Sequence, residues 1–157
     1  MGLIKFTAMP SEEARAFRAG AKDAYGNAPE RRVSDGAGIP CRHCLRGVEA
    51  GRPYLTLAYR PFPEPQPYAE TGPIFLCADE CARAPDSDVM PDLFRARPDW
   101  LLRGYGHDDR IVYGTGAVTP KKDICTRAHA LLQRDDIAYL HLRSAQYNCY
   151  QVRIERA

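Results

Sequence analysis

Four of the six cysteines in this 157-residue chain form two spaced pairs, Cys41-x2-Cys44 and Cys77-x3-Cys81. Thirty-two residues separate the pairs. A C-x2-C turn lets two thiolates converge on one tetrahedral cation at about 2.3 Å each, with nearby amides pointed at sulfur. A C-x3-C spacing sets its sulfurs one helical turn apart, or across a junction between strand and helix. We therefore read Cys41, Cys44, Cys77 and Cys81 as the ligands of one structural Zn²⁺. Four thiolates leave no position for water, so such a site would hold structure and not hydrolyse a substrate. The competing readings are buried core thiols, a redox pair, or two disulfides. His43, inside the knuckle, is an alternative ligand whose spacing suits a solvent-facing turn residue.

Four thiolates on Zn²⁺ leave a charge of −2 that needs donors around it. Arg42 and Arg46 lie in or beside the knuckle and are the expected donors. Residues 31–60 carry six arginines against Asp35 and Glu49, a local +4, and residues 64–92 carry seven acids against Arg83, a local −6. An ion joining the two cysteine pairs would make these segments neighbours.

A second constellation lies in the C-terminal part of the chain. Segments 137–143 and 148–154 alternate and read as a hairpin. Pairing residue 142 with 150 or with 148 keeps like faces together. His141, Arg143, Cys149, Gln151 and Arg153 then share one face, with Leu140, Leu142, Tyr150, Val152 and Ile154 on the other. His141, Cys149 and Arg143 become candidate catalytic residues: a base, a nucleophile and an anion-holding guanidinium. The plainer reading is a covered sheet face with His141 bonded to backbone. Cys125, next to an apolar helix stripe, reads as core.

The elements that position these residues are legible to different degrees. A strand is expected at 3–8, followed by a helix from Ser11 to about Gly26. Ser11 is its expected N-cap, with Glu12 and Glu13 in the first turn and Ala14, Phe17 and Ala21 along one face. Residues 27–40 read as a loop. Strands follow at 53–60 and 74–77, the second feeding a helix that opens at Asp79 and carries Cys81. Six of the 13 prolines fall between positions 53 and 73, so residues 61–73 read as an extended excursion and a candidate recognition loop. Pro91 and Pro98 suit the first turns of short helices near 91–96 and 98–103. Residues 110–113 read as a strand, and Ile124, Ala128, Leu131 and Leu132 mark a helix capped by Asp123.

Apolar content of 45% and charged content of 27% are those of a globular domain. The net charge of +2 is small for an electrostatic nucleic-acid or membrane binder. No stretch reaches the roughly 20 apolar residues of a membrane span. The opening MGLIKF lacks the pattern of a secretory leader, and Phe6 stands where a myristoylation signal on Gly2 needs Ser or Thr. A cytoplasmic protein is expected, and reducing conditions favour cysteines as ligands.

The segments PCRHCL, LAYRPF, PYAETGPIF and HLRSAQYNC resemble a bacterial family catalogued as domain of unknown function 1203, over nearly the whole chain. The resemblance brings no activity. It implies that position 77, here Cys77, often holds His, an exchange that zinc tolerates. The order of knuckle, β segment, strand and ligand-bearing helix is similar to treble-clef zinc modules.

These readings combine into a single α+β domain over 1–157, with a mostly antiparallel sheet and flanking helices. A zinc-knuckle, treble-clef-like segment is embedded at about 40–84. The favoured function is a zinc-stabilised binding or scaffold protein without catalysis. Its partner, a protein or a small anionic ligand, would meet the Pro/Tyr-rich excursion and the arginines near the knuckle. One alternative is an enzyme acting on a small anionic substrate through the His141/Cys149/Arg143 face. Another is weak nucleic-acid binding through Arg31, Arg32, Arg42, Arg46 and Arg52, against which the acidic stretch argues.

Overall fold

Alternating apolar residues place most of the strands. In the computed structural model, which describes residues 3–157, the first half of the chain forms β1 (Ile4–Thr7), α1 (Ser11–Arg18), β2 (Glu30–Val33), β3 (Pro53–Tyr59) and β4 (Gly72–Cys77). The second half forms β5 (Asp99–Tyr105), β6 (Ala117–Pro120), α2 (Ile124–Leu132), β7 (Tyr139–Ser144) and β8 (Tyr150–Arg156). Gly2, weighed above for acylation, lies outside the described residues. All ladders between these strands are antiparallel, so the class is α+β. No helix among the described residues is long and apolar enough to cross a membrane.

The described residues fall into two compact units. One comprises the chain up to Thr7, Glu64–Ala69 and Pro85–Ala157; the other comprises Ala8–Pro63 and Glu70–Ala84. The first unit holds a five-stranded sheet in the order β1-β8-β7-β5-β6. Leu102, Leu142 and Val152 pair across its centre, as do Leu140, Ile154 and Phe6, and all six are buried. Helix α2 packs on β1, β5, β7 and β8 with Ile124, Ala128, Leu131 and Leu132 buried. Each of the three larger side chains, Ile124, Leu131 and Leu132, contributes roughly 1.5–3 kcal/mol when taken out of water.

The second unit holds the sheet β2-β3-β4 and α1. Leu55 and Leu57 of β3 and Ile74 and Leu76 of β4 form its core with Met9, Ala14, Cys41 and Val48.

Four expectations are corrected here. Helix α1 stops at Arg18 and does not run to Gly26. Gly20 adopts φ +96°, its N–H bonds the Phe17 carbonyl at 3.1 Å, and the Ala21 N–H reaches the Ala16 carbonyl at 2.9 Å. That is a Schellman stop. Residues 27–40 are not all loop, because Glu30–Val33 pairs with β3. The helix expected at 98–103 is strand β5: Trp100, Leu102 and Gly104 alternate inward, and pairing on both sides with β6 and β7 outweighs the helix-start signal of Pro98. Gly104 leaves little room for a side chain, since an added Cβ would lie 3.1 Å from Thr115 Oγ1 and the neighbouring atoms would have to give way. The strand expected at 110–113 is a turn with one bridge, Ile111 to Tyr105, and β6 forms further on.

Candidate metal centre

The knuckle is built by its own backbone. The Cys41 N–H donates to the Arg46 carbonyl and the Leu45 N–H to the Cys41 carbonyl, each at 2.9 Å. Leu45 takes φ 54°, a conformation that costs a non-glycine residue on the order of 1 kcal/mol or more. The turn aims the Cys44 amide at the Cys41 sulfur and the Arg46 amide at the Cys44 sulfur. A parallel bridge from Cys41 to Phe75 and an Arg42 N–H to Phe75 carbonyl bond of 3.1 Å stitch the knuckle to β4. That contact carries the second pair to the first. Cys77 closes β4, and its amide sits 3.3 Å from Cys41 Sγ.

All four sulfurs lie within 4.8 Å of one another. Cys41 and Cys81 are 3.9 Å apart, as are Cys44 and Cys77. Tetrahedral zinc with bonds of about 2.3 Å sets its sulfurs ~3.8 Å apart. The donor set and its spacing therefore fit a tetrahedral thiolate site. Cys41 is buried, and the other three are half-buried.

Residues 78–86 carry no helix, so the helix expected from Asp79 is corrected. Pro85 leaves at most six residues for such a helix, because a proline further in removes a hydrogen bond and clashes with the preceding turn. The chain instead stays open. The Ala78 N–H bonds the Pro53 carbonyl at 3.1 Å, and the Ala84 N–H bonds the His43 carbonyl at 2.9 Å. Cys81 is thus delivered by a turn and an extended segment.

The donors around the sulfurs are also not those expected. Arg42 is 3% exposed, donates to the Pro40 carbonyl at 2.8 Å and sits over the Phe75 ring. Arg46 contributes its amide, with an exposed side chain. The guanidinium at the site belongs to Arg18, whose Nη2 donates to Cys81 Sγ at 3.0 Å and whose Nε donates to the Cys77 carbonyl at 2.9 Å. His43, expected to face solvent, is 2% exposed; its Nδ1 lies 3.2 Å from Cys81 Sγ and its Nε2 is 2.9 Å from Ser11 Oγ. Burial first, then the Arg18 charge, hold the imidazole below its ordinary pKa. In a neutral ring both contacts are satisfied when Nδ1 carries the proton and Ser11 donates to Nε2. Ser11, Ala14 and Arg18 stand at i, i+3 and i+7, so one stripe of α1 presents the whole set. Ser11 spends its hydroxyl here and does not cap the helix. Of the opposite-charge segments, Arg52 and Asp79 meet at 3.3 Å, an exposed pair of little energetic weight.

Four thiols so close cannot all ionise without a cation. Hydrogen bonds from Cys44 and Cys77 hold the Cys41 thiol far below the usual thiol range. Its thiolate pushes Cys44 up to about 12 and holds Cys77 well above the usual range. Burial and the Cys41 charge raise Cys81, while Arg18 opposes them. A divalent cation removes that obstacle, because coordinated thiols are deprotonated outright.

The second constellation is rearranged by a bulge. Leu142 pairs with Val152 and His141 with Arg153, but after a shift at Leu142/Arg143, Arg143 pairs with Tyr150. Neither expected register is present. The bulge turns Tyr150 onto the His141 face, where the rings of Tyr105, Tyr139 and Tyr150 stand 4.7, 5.2 and 4.8 Å from the imidazole. Cys149 precedes β8 in the hairpin loop, its amide on Ser144 Oγ at 3.1 Å, and not across from His141. His141 and Arg143 are 1% and 3% exposed. Burial, then Arg143, Arg153 and Arg103, hold His141 well below its ordinary pKa. Cys125 lies half-buried on α2.

The family described as "Protein of unknown function (DUF1203)" matches residues 38–156, a span that includes the four clustered cysteines and the hairpin. No curated protein and no solved structure matches the chain.

Proposed function

The chain belongs to the DUF1203 family, and from that premise we propose that it is a binding protein stabilised by one structural zinc. Cys41, Cys44, Cys77 and Cys81 are the ligands, and His43, Arg18 and Ser11 support them. The observation that carries this reading is the convergence of four sulfurs within 4.8 Å, ringed by N–H donors. The ion would fasten the knuckle to the end of β4, in the manner of a treble clef without its helix. Metal binding is then folding free energy for this unit. Thiolate ligands require a reducing compartment, so the reading carries a cytoplasmic location with it.

The experiment is to refold metal-free protein under reducing conditions and titrate it with Zn²⁺ while following circular dichroism. One equivalent should raise the thermal midpoint and release protons. An unchanged midpoint rejects the reading.

The enzyme alternative loses its nucleophile, because Cys149 is displaced from His141 by the bulge. The nucleic-acid alternative loses Arg42, which is buried. Arg31 and Arg32 of β2 remain exposed, and a protein partner is the reading we favour for them.

A further inference from the structure

The three-stranded sheet ends at β2, and no described residue pairs with the outer side of that strand. All four of its residues are exposed, including Val33 at 69%. The register identifies which backbone groups face outward. Pro53 has no N–H and stands opposite Val33, while its carbonyl takes the Ala78 N–H. Val33–Pro53 is therefore a non-hydrogen-bonded pair of the β2–β3 ladder, and by alternation so is Arg31–Leu55. In such pairs the N–H and C=O groups point away from the partner strand. The next position agrees, since the Ser34 N–H turns inward to the Arg52 carbonyl at 2.9 Å. Arg31 and Val33 thus hold two N–H and two C=O groups toward the open edge.

Exposed edges are usually blunted by charge, proline or a bulge. The edge is short and Pro29 precedes it, but Glu30–Val33 itself holds no proline or bulge, and one outward position is a bare valine. Its charge is one-sided: Arg31 and Arg32 on opposite faces against Glu30, which pairs with Arg32 at 3.2 Å. Arg52, opposite Ser34, is paired with Asp79 at 3.3 Å, so the cations offered at this edge are those of Arg31 and Arg32. We propose that β2 is the docking edge for an extended acidic segment of a partner protein, which adds to the sheet as a fourth strand. Main-chain bonds to Arg31 and Val33 supply affinity, and two adjacent acids, one per face, meet Arg31 and Arg32. Two-fold pairing with a second copy centred on Arg31 or Arg32 sets guanidinium against guanidinium. Pairing centred on Val33 sets Arg31 opposite Asp35 beyond the strand, so a dimer through this edge is the occupant the test separates from an acidic segment. This inference rests on the binding-protein reading above and names the partner's chemistry.

The test uses the zinc-loaded full chain and an eight-residue peptide of threonine and valine with two central glutamates. Its control has lysines in place of the glutamates. Binding is followed through the backbone amide signals of the protein. The acidic peptide should shift the Arg31 and Val33 amides and slow their hydrogen exchange, and the lysine peptide should not. Val33→Pro removes an outward N–H and no ladder bond, so it should keep the wild-type thermal midpoint and weaken binding about tenfold. Arg31→Glu with Arg32→Glu should weaken it by at least as much. Silent Arg31 and Val33 amides, equal binding of the two peptides, wild-type affinity in Val33→Pro, or a dimer formed through this edge would each overturn the proposal. Metal content measured on the same sample separates the two readings. A one-zinc protein that ignores the peptide overturns the edge alone, and a zinc-free protein that binds it overturns the metal centre alone.

Discussion

His43 Nδ1 stands 3.2 Å from Cys81 Sγ, and the same sulfur receives the Arg18 guanidinium at 3.0 Å. Of the four clustered cysteines Cys81 lies on the least regular segment, and it draws two side-chain donors. Outer-shell partners of this kind fix a ligand's orientation and offset its charge.

Removing those donors should loosen the metal and spare the fold. We expect His43→Ala and Arg18→Met each to speed zinc transfer to a chromogenic chelator by roughly 10–100-fold. Ser11→Ala, which only releases the imidazole, should have the smallest effect of the three. Wild-type transfer rates in all three variants would remove these residues from the site.

The ligand assignment itself is tested by substitution at one position in two ways. Cys77→Ser should lose the zinc and destabilise the protein by upwards of ~4 kcal/mol, the range associated with loss of a bound metal. Cys77→His should keep it, because imidazole is a zinc ligand of similar reach. A core thiol would give the opposite order, since serine is the closer match in size. Zinc content and urea unfolding of both variants decide it.

The cysteine spacing made the four-sulfur cluster legible, because a C-x2-C turn is a local device whose geometry travels with the sequence. The shell was not legible. Arg18 and Ser11 lie on α1, and long-range contacts such as the Met9 N–H bond to the Arg42 carbonyl and the packing of Ala14 bring that helix stripe to the sulfurs. Polar residues at i and i+7 read as a solvated face until the fold supplies the partner. The hairpin shows the same limit. Its strands followed from alternation, but one extra residue in β8, Gln151, opposite the Leu142–Arg143 step, reversed the parity and moved Tyr150 to the other face. Strand β5 was missed because a local proline signal was weighed above pairing that only the whole sheet provides.

Burial of His141 gives a pH dependence whose sign is fixed. Its folded-state pKa is depressed by burial and by Arg143, Arg153 and Arg103. Below about pH 6.5, the ordinary histidine value, the unfolded chain takes up a proton that the folded chain refuses. Stability therefore falls as pH drops from about 6.5 toward the folded value, by at most about 1.4 kcal/mol per unit from this one group. His141→Gln should flatten that part of the profile in urea unfolding at a series of pH values. An unchanged slope would mean that His141 titrates alike in both states.

Cys149 should behave as a loop thiol. We expect its alkylation rate by iodoacetamide at neutral pH to be the same in wild type and in His141→Gln, because Arg153 occupies the position across from His141. A several-fold slowing in the variant would restore the nucleophile–base pair.

The central claim is that one zinc ion ties the two cysteine pairs together. Elemental analysis of protein purified without added metal or chelator measures this directly. The account predicts one zinc per chain, retained through dialysis and lost in Cys77→Ser. Metal-free protein of undiminished stability, or Cys41, Cys44, Cys77 and Cys81 recovered as disulfides with no bound ion, would contradict it.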